Sequence, residues 1–194
     1  SKVQPVNDYG RIQPQAPELE EDVLGALMIE KDAYSLVSEI LRPESFYEHR
    51  HQLIYAAITD LAVNQKPVDI LTVKEQLSKR GELEEVGGPF YITQLSSKVA
   101  SSAHIEYHAQ IVHEKYLRRE MILGFNKLLA YSLDETMDID DSLVDAHNLL
   151  DRLEGEFGHN NHMRDMDELM TATMVEAEGR IANNKNGVTG LPTG

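Results

Sequence analysis

The sequence predicts an all-α protein. Three observations carry that expectation. No segment keeps the period-2 alternation of apolar and polar residues that a half-buried strand needs. Apolar residues recur instead at steps of three and four along most of the 194 residues. Pro5, Pro14, Pro17, Pro43, Pro67 and Pro89 all precede residue 90, and none follows until Pro192. Proline breaks helix interiors, so the stretch 90–191 has room for long helices, whereas the earlier prolines fit short helices and frequent turns.

Residues 1–15 are polar and aperiodic and read as a flexible N-terminal arm. A first helix is expected to start near Pro17, where proline suits a first turn. Glu18, Glu20, Glu21 and Asp22 then sit at the positive end of its dipole, and Leu19, Val23, Ala26 and Leu27 form its inward stripe. A short second helix is expected over Ala33 to Leu41, before Pro43. Leu53, Ile54, Ala57, Ile58 and Leu61 predict an amphipathic helix from His49 to Asn64. Asp69 caps the next helix, Leu71 to Arg80, which stops at Gly81. Gly87-Gly88-Pro89 forces a turn into a helix over Phe90 to Lys98.

Residues 102–133 read as one long helix, or two joined near Tyr116 to Arg119, with Ile105, Ala109, Val112, Tyr116 and Leu123 on one stripe. An acidic turn follows over 134–141. Leu143, Ala146, Leu150, Leu153 and Phe157 then recur at steps of 3, 4, 3 and 4, a seven-residue repeat. The two segments together read as an antiparallel helical hairpin. This stripe is either an ordinary core face or a seam that pairs with a second hairpin. Residues 158–162 read as a break. Leu169, Thr173, Ala177 and Ile181 recur every four residues, and Met166, Met170 and Met174 widen their face. That helix, over about 167–183, either docks on a partner or folds back on its own domain. The expected organisation is an arm over 1–15, a globular helical subdomain over 16–101, a hairpin subdomain over 102–158 and a linker over 159–194.

Composition narrows the chemistry. There are 18 Lys+Arg against 33 Asp+Glu, a net charge of −15. Phosphate binding needs clustered cations, so nucleic acid is not expected as the main ligand of this stretch. An apolar fraction of 41% with 26% charged residues is globular. Without cysteine, disulfides and thiolate metal sites are excluded. No apolar run approaches ~18 residues, and no signal-peptide pattern opens the sequence. The chain carries neither G-x-x-x-x-G-K-[ST] nor G-x-S-x-G.

His104 and His108, at i and i+4, could share a metal in a small helical hydrolase. Ile105 nevertheless stands where a metalloprotease helix needs Glu. Surface or capping positions are the better expectation for these and for the pairs His49/His51 and His159/His162. The carboxylates read as solvated faces. The basic cluster Lys115, Arg118 and Arg119, with Lys127, is expected to pair with acidic residues of the hairpin or of a neighbouring chain. No catalytic, cofactor-binding or metal-ligating residue is singled out.

Several segments resemble one family. Ser45-Phe-Tyr-Glu-His-Arg-His-Gln-Leu-Ile-Tyr-Ala-Ala-Ile58, Pro67-Val-Asp-Ile-Leu-Thr-Val-Lys-Glu-Gln-Leu77 and Gly81-Glu-Leu-Glu-Glu-Val-Gly-Gly-Pro-Phe-Tyr91 are similar to motifs of bacterial replicative DNA helicases of the DnaB family. Glu18 to Leu27 and Ala103 to Val112 fit the same pattern, and Gly187 to Gly194 looks like the junction before a motor domain. The resemblance covers nearly all of 16–194. It implies a cytoplasmic, non-membrane fragment: the helical N-terminal domain and linker helix, without the RecA-like ATPase. ATP and Mg are implied only for that absent motor, which would also carry most DNA contacts. The fragment itself is then no enzyme and holds no cofactor.

The resemblance further implies hairpin-paired dimers within a hexamer, with primase and a helicase loader as partners. Tyr116, Leu123, Leu143, Ala146, Leu150, Leu153 and Phe157 are the expected self-association residues. Met166, Leu169, Met170, Thr173, Met174, Ala177 and Ile181 are expected to dock the linker helix. A free-standing helical adaptor is the remaining alternative.

Overall fold

The computed structural model describes residues 13–99, 104–134 and 136–156. Every regular element among them is helical. The order is α1 (Pro17–Ile29), α2 (Ala33–Val37), a 3-10 turn (Pro43–Ser45), α3 (His49–Val63), α4 (Ile70–Arg80), α5 (Gly88–Lys98) and α6 (Ile105–Leu133). A further helix, α7, covers 139–156. The chain divides into two compact units, Ser1–Leu149 and Leu150–Gly194. Of the second, the described residues 150–156 are helical. Among the described residues no helix is long and apolar enough to cross a membrane.

Local chemistry explains most boundaries. Pro17 opens α1 in its first turn. Asp69 Oδ1 accepts from the backbone N–H of Leu71 at 2.8 Å and of Thr72 at 2.9 Å. The Asp69 N–H donates in return to Thr72 Oγ1, which closes a reciprocal cap on α4. Gly81 ends that helix in the left-handed conformation, φ 75°. Gly87 and Gly88 both have positive φ, 101° and 72°. They let the chain turn directly into α5, which therefore starts at Gly88, two residues before the expected Phe90.

Two expectations are corrected. The second helix ends at Val37, not Leu41. Residues 38–40 form a turn in which the Ile40 and Leu41 N–H groups both donate to the Val37 carbonyl, and Arg42, ahead of Pro43, is extended, φ −127° and ψ 164°. The acidic stretch after Leu133 is a shorter turn than 134–141, because α7 has begun by residue 139. The long segment is one continuous helix, α6.

α1 is the central element and packs against α2, α3, α4, α5 and α6. Its residues Val23 to Met28 are all buried, on every side of the helix. Leu24 and Leu27, each fully buried, contribute roughly 1.5–3 kcal/mol apiece. Gly25 makes this closeness possible. A Cβ there would lie 2.4 Å from the Leu95 carbonyl oxygen and 2.5 Å from Val99 Cγ2.

α3 supplies Ile54, Tyr55, Ala57, Ile58 and Leu61 to the same core. Its buried Tyr55 hydroxyl donates to the Leu41 carbonyl at 3.1 Å. α4 runs antiparallel to α3, with Gln76 and Arg80 both reaching Asp60, and Arg80 reaching on to Ala56. The core continues past residue 101, since Ile105, Ala109 and Val112 of α6 belong to it.

Candidate functional site

The first half of α6 is inside the protein and the second half is not. Ile105, Ala109, Val112, His113 and Leu117 are buried. From Met121 onward the apolar residues Met121, Ile122, Phe125, Leu129 and Leu133 are exposed. α7 folds back antiparallel along this second half. Leu149 lies over Gly124, where a Cβ would come within 2.4 Å of its Cδ2, and Lys127 Nζ meets Asp145 Oδ2 at 3.0 Å. Glycine inside a helix costs about 1 kcal/mol relative to alanine. Here it lets the two helices approach, and the buried Leu149 fills the space.

The α7 residues that meet α6 are therefore Asp145 and Leu149, neither of which belongs to the seven-residue stripe. Of that stripe's described residues two are exposed and two half-buried. Leu143 is 52% exposed and Ala146 half-buried, and Ile139, one turn ahead of the stripe, is 66% exposed. In the second unit Leu150 is 45% exposed and Leu153 half-buried. On α6, Tyr116 is half-buried and Leu123 exposed. Exposed apolar groups in such density mark interaction surfaces. The sequence reading missed the α6 residues Ile122, Phe125 and Leu129. Their steps of three and four, continuing to Leu133, were the available signal. Phe157, Met166, Leu169, Met170, Thr173, Met174, Ala177 and Ile181 lie outside the described residues.

The histidines need a correction. His51 is neither a surface nor a capping residue, because it is completely buried. Its Nδ1 lies 2.6 Å from Glu20 Oε2 and its Nε2 lies 2.7 Å from Tyr91 Oη. Glu20 is 1% exposed, so the expectation of solvated carboxylates fails there too. Its Oε1 accepts from the Tyr47 N–H at 2.7 Å. Tyr91 Oη donates to Glu21 Oε1 at 3.1 Å, and Lys98 Nζ meets Glu21 Oε2 at 2.5 Å. Burial and the Glu21 charge push the Tyr91 phenol well above its ordinary pKa.

The cluster joins α1, α3 and α5, and the Glu20–His51 pair at its centre is closed to solvent, so it is a buried polar tie rather than a substrate site. A sequence signal existed. Glu20 precedes Val23 and Leu24 by three and four, and His51 precedes Ile54 and Tyr55 likewise, which places both on core faces.

His104 is exposed just ahead of α6 and His108 half-buried within it. No group of three or more metal-ligating side chains occurs among the described residues. The basic cluster pairs only in part as expected. Lys127 meets the hairpin acid Asp145, but Arg118 pairs within α6 to Glu114 at 2.6 Å. Arg119 turns to backbone carbonyls of Pro14 and Ser45.

Comparison with known proteins gives one answer. The family model described as the DnaB-like helicase N terminal domain matches residues 12–114. The replicative DNA helicase DnaB of Rhodothermus marinus is 41% identical over 95% of this chain, which covers 19% of that protein. The replicative DNA helicase DnaC of Bacillus subtilis (strain 168) is 33% identical over 95% of this chain, which covers 40% of that protein. The chain thus spans less than half the length of these curated relatives.

Among solved structures, the N-terminal domain of DnaB helicase from Mycobacterium tuberculosis superposes with a TM-score of 0.62 at 34% identity. That match covers 75% of this chain and 98% of the other. A DnaB-like replicative helicase, described with its interactions with primase, shares the fold. Its TM-score is 0.60 at 24% identity, over 69% of this chain and 31% of that one. The chain belongs to the DnaB-like helicase N-terminal domain family.

Proposed function

We propose that this chain is the assembly and partner-docking portion of a replicative DNA helicase. Its hairpin pairs with the hairpin of a second copy, and such dimers build a hexameric collar. The collar docks primase or a helicase loader, so that unwinding and priming occur together. Unwinding itself, with ATP and Mg, belongs to the remainder of such a protein.

The observation that carries this reading is the exposed apolar surface on α7 at Ile139 and Leu143. A helix fully satisfied by its own protomer would not present it. A helicase of the same fold is known with its interactions with primase, which motivates primase as the docked protein.

Analytical sedimentation of Leu143→Asp, and separately of Leu150→Asp, tests the reading. Both residues are exposed in the protomer, so the fold tolerates the change. A carboxylate forced into a dimer seam without a partner costs about 3 kcal/mol or more, roughly a hundredfold in Kd. Loss of oligomers with unchanged helix content is the expected result. Oligomers that persist in both variants remove α7 from the interface.

A further inference from the structure

We propose that Arg119 is a positioning residue that holds the hairpin at a set angle to the helical core, an inference whose importance rests on the hairpin being the self-association element. α6 belongs to the core as far as Leu117, and its apolar residues are exposed from Met121 onward. Arg119 stands at that transition. Its Nη1 donates to the Pro14 carbonyl at 2.9 Å, and its Nη2 donates to the Ser45 carbonyl at 2.8 Å. The first acceptor lies in the segment that leads into α1. The second closes the 3-10 turn ahead of α3, where a terminal carbonyl has no partner within its own helix. The Tyr47 and Tyr116 rings lie 5.5 and 5.9 Å from the guanidinium.

One planar fork thus ties α6 to two stretches of backbone that are 105 and 74 residues away. The geometry needs arginine. A lysine ammonium is a single point of charge and cannot span both carbonyls as the fork does. The lever beyond the tie is long. From Arg119 to Leu133 the helix runs about 21 Å, so a tilt of about 10° at the tie moves its tip by about 4 Å. Apolar seams match only when their side chains are in register, and a displacement of that size exceeds a methyl group. The tie therefore governs which arrangement of paired hairpins the protein can adopt.

The chain has no cysteine, so two introduced cysteines take spin labels uniquely. Ser78→Cys on α4 and Ser132→Cys near the end of α6 are exposed sites on either side of the tie. Labelled chain is diluted into excess unlabelled chain, so that pulsed electron resonance reads only distances within one protomer. The parent is expected to give a narrow distribution. Arg119→Ala widens or shifts it by several ångströms while circular dichroism stays unchanged. Arg119→Lys, which keeps the charge and loses the fork, does likewise.

Parent-like distributions in both variants overturn the proposal. Should Arg119→Ala not fold, Arg119→Lys decides alone: a wider distribution supports the tie, and a parent-like one refutes it. Sedimentation of the parent separates the two ideas. A monomeric parent counts against the assembly reading, while the distances still judge the role of Arg119.

Discussion

Tyr91 shows what a single side chain decides in this protein. Its hydroxyl lies 2.7 Å from His51 Nε2 and also donates to Glu21. Tyr91→Phe removes the hydrogen bond at that buried ring nitrogen, and the expected loss is about 1–3 kcal/mol in urea unfolding. A loss under about 0.5 kcal/mol, ordinary for a surface change, would show that the tie is dispensable.

Glu21, at the solvent edge of the same cluster, supplies a pH test. Burial pushes its carboxyl up, but hydrogen bonds from Lys98 and Tyr91 and the Lys98 charge outweigh this and hold it below its ordinary 4.5. A depressed carboxylate stabilises the fold above its unfolded pKa, and that contribution fades as the pH falls through the folded value. Stability of the parent should therefore fall with acid below about pH 4.5, and Lys98→Met should make that fall shallower. An identical acid limb in Lys98→Met would show that Lys98 does not set the Glu21 pKa.

None of this cluster was read from the sequence, because its members lie 31 and 40 residues apart. Glu20 sits in an acidic run that looks like an ordinary helix N-terminus, and His51 stands beside His49, which is exposed. Side-chain type pointed to solvent, while helical phase pointed to the core. Phase prevailed because the three side chains satisfy one another.

At the scale of elements, contact distance separates one glycine from another. At Gly25 a new Cβ meets the Leu95 backbone carbonyl at 2.4 Å, and that oxygen cannot rotate away. Gly25→Ala is expected to cost about 1–3 kcal/mol through displacement of α5, despite alanine's better helix propensity. Gly155 has nothing within 4 Å, so Gly155→Ala should be neutral or stabilising by about 0.4–1 kcal/mol. Thermal unfolding of the two variants checks the contrast, and equal shifts would show that α1 and α5 are not in tight contact.

Helix ends were the most legible elements. Asp69, Gly81 and Pro17 act within a few residues of themselves, so their chemistry is local and visible in one dimension. The facing of α7 was not visible. The seven-residue stripe predicts an apolar side of α7, but which side α6 meets depends on where Gly124 lets Leu149 in.

For the whole molecule, the aromatic and histidine residues of the family-like motifs serve mainly the core. Phe46, His51, Tyr55 and Tyr91, drawn from two of the motifs that resemble the helicase family, are all buried. They hold the fold together. The surface proposed for pairing lies on α6 and α7, although Tyr47, Leu71 and Phe90 within those motifs are exposed as well. If the hairpins pair, thermal stability will rise with protein concentration, and Leu143→Asp will abolish that rise along with the oligomer.

Read alone, the sequence determined the all-α class, the helix order and the family resemblance. These depend on periodicity, caps and proline placement, which act over one or two turns. Only the tertiary structure decided that residues 23–28 of α1 are buried on every side, that His51 meets Glu20 and Tyr91, and that Arg119 ties α6 to two distant carbonyls. Those outcomes depend on which surfaces meet after the chain has folded back on itself, and neighbours in sequence do not encode that distance.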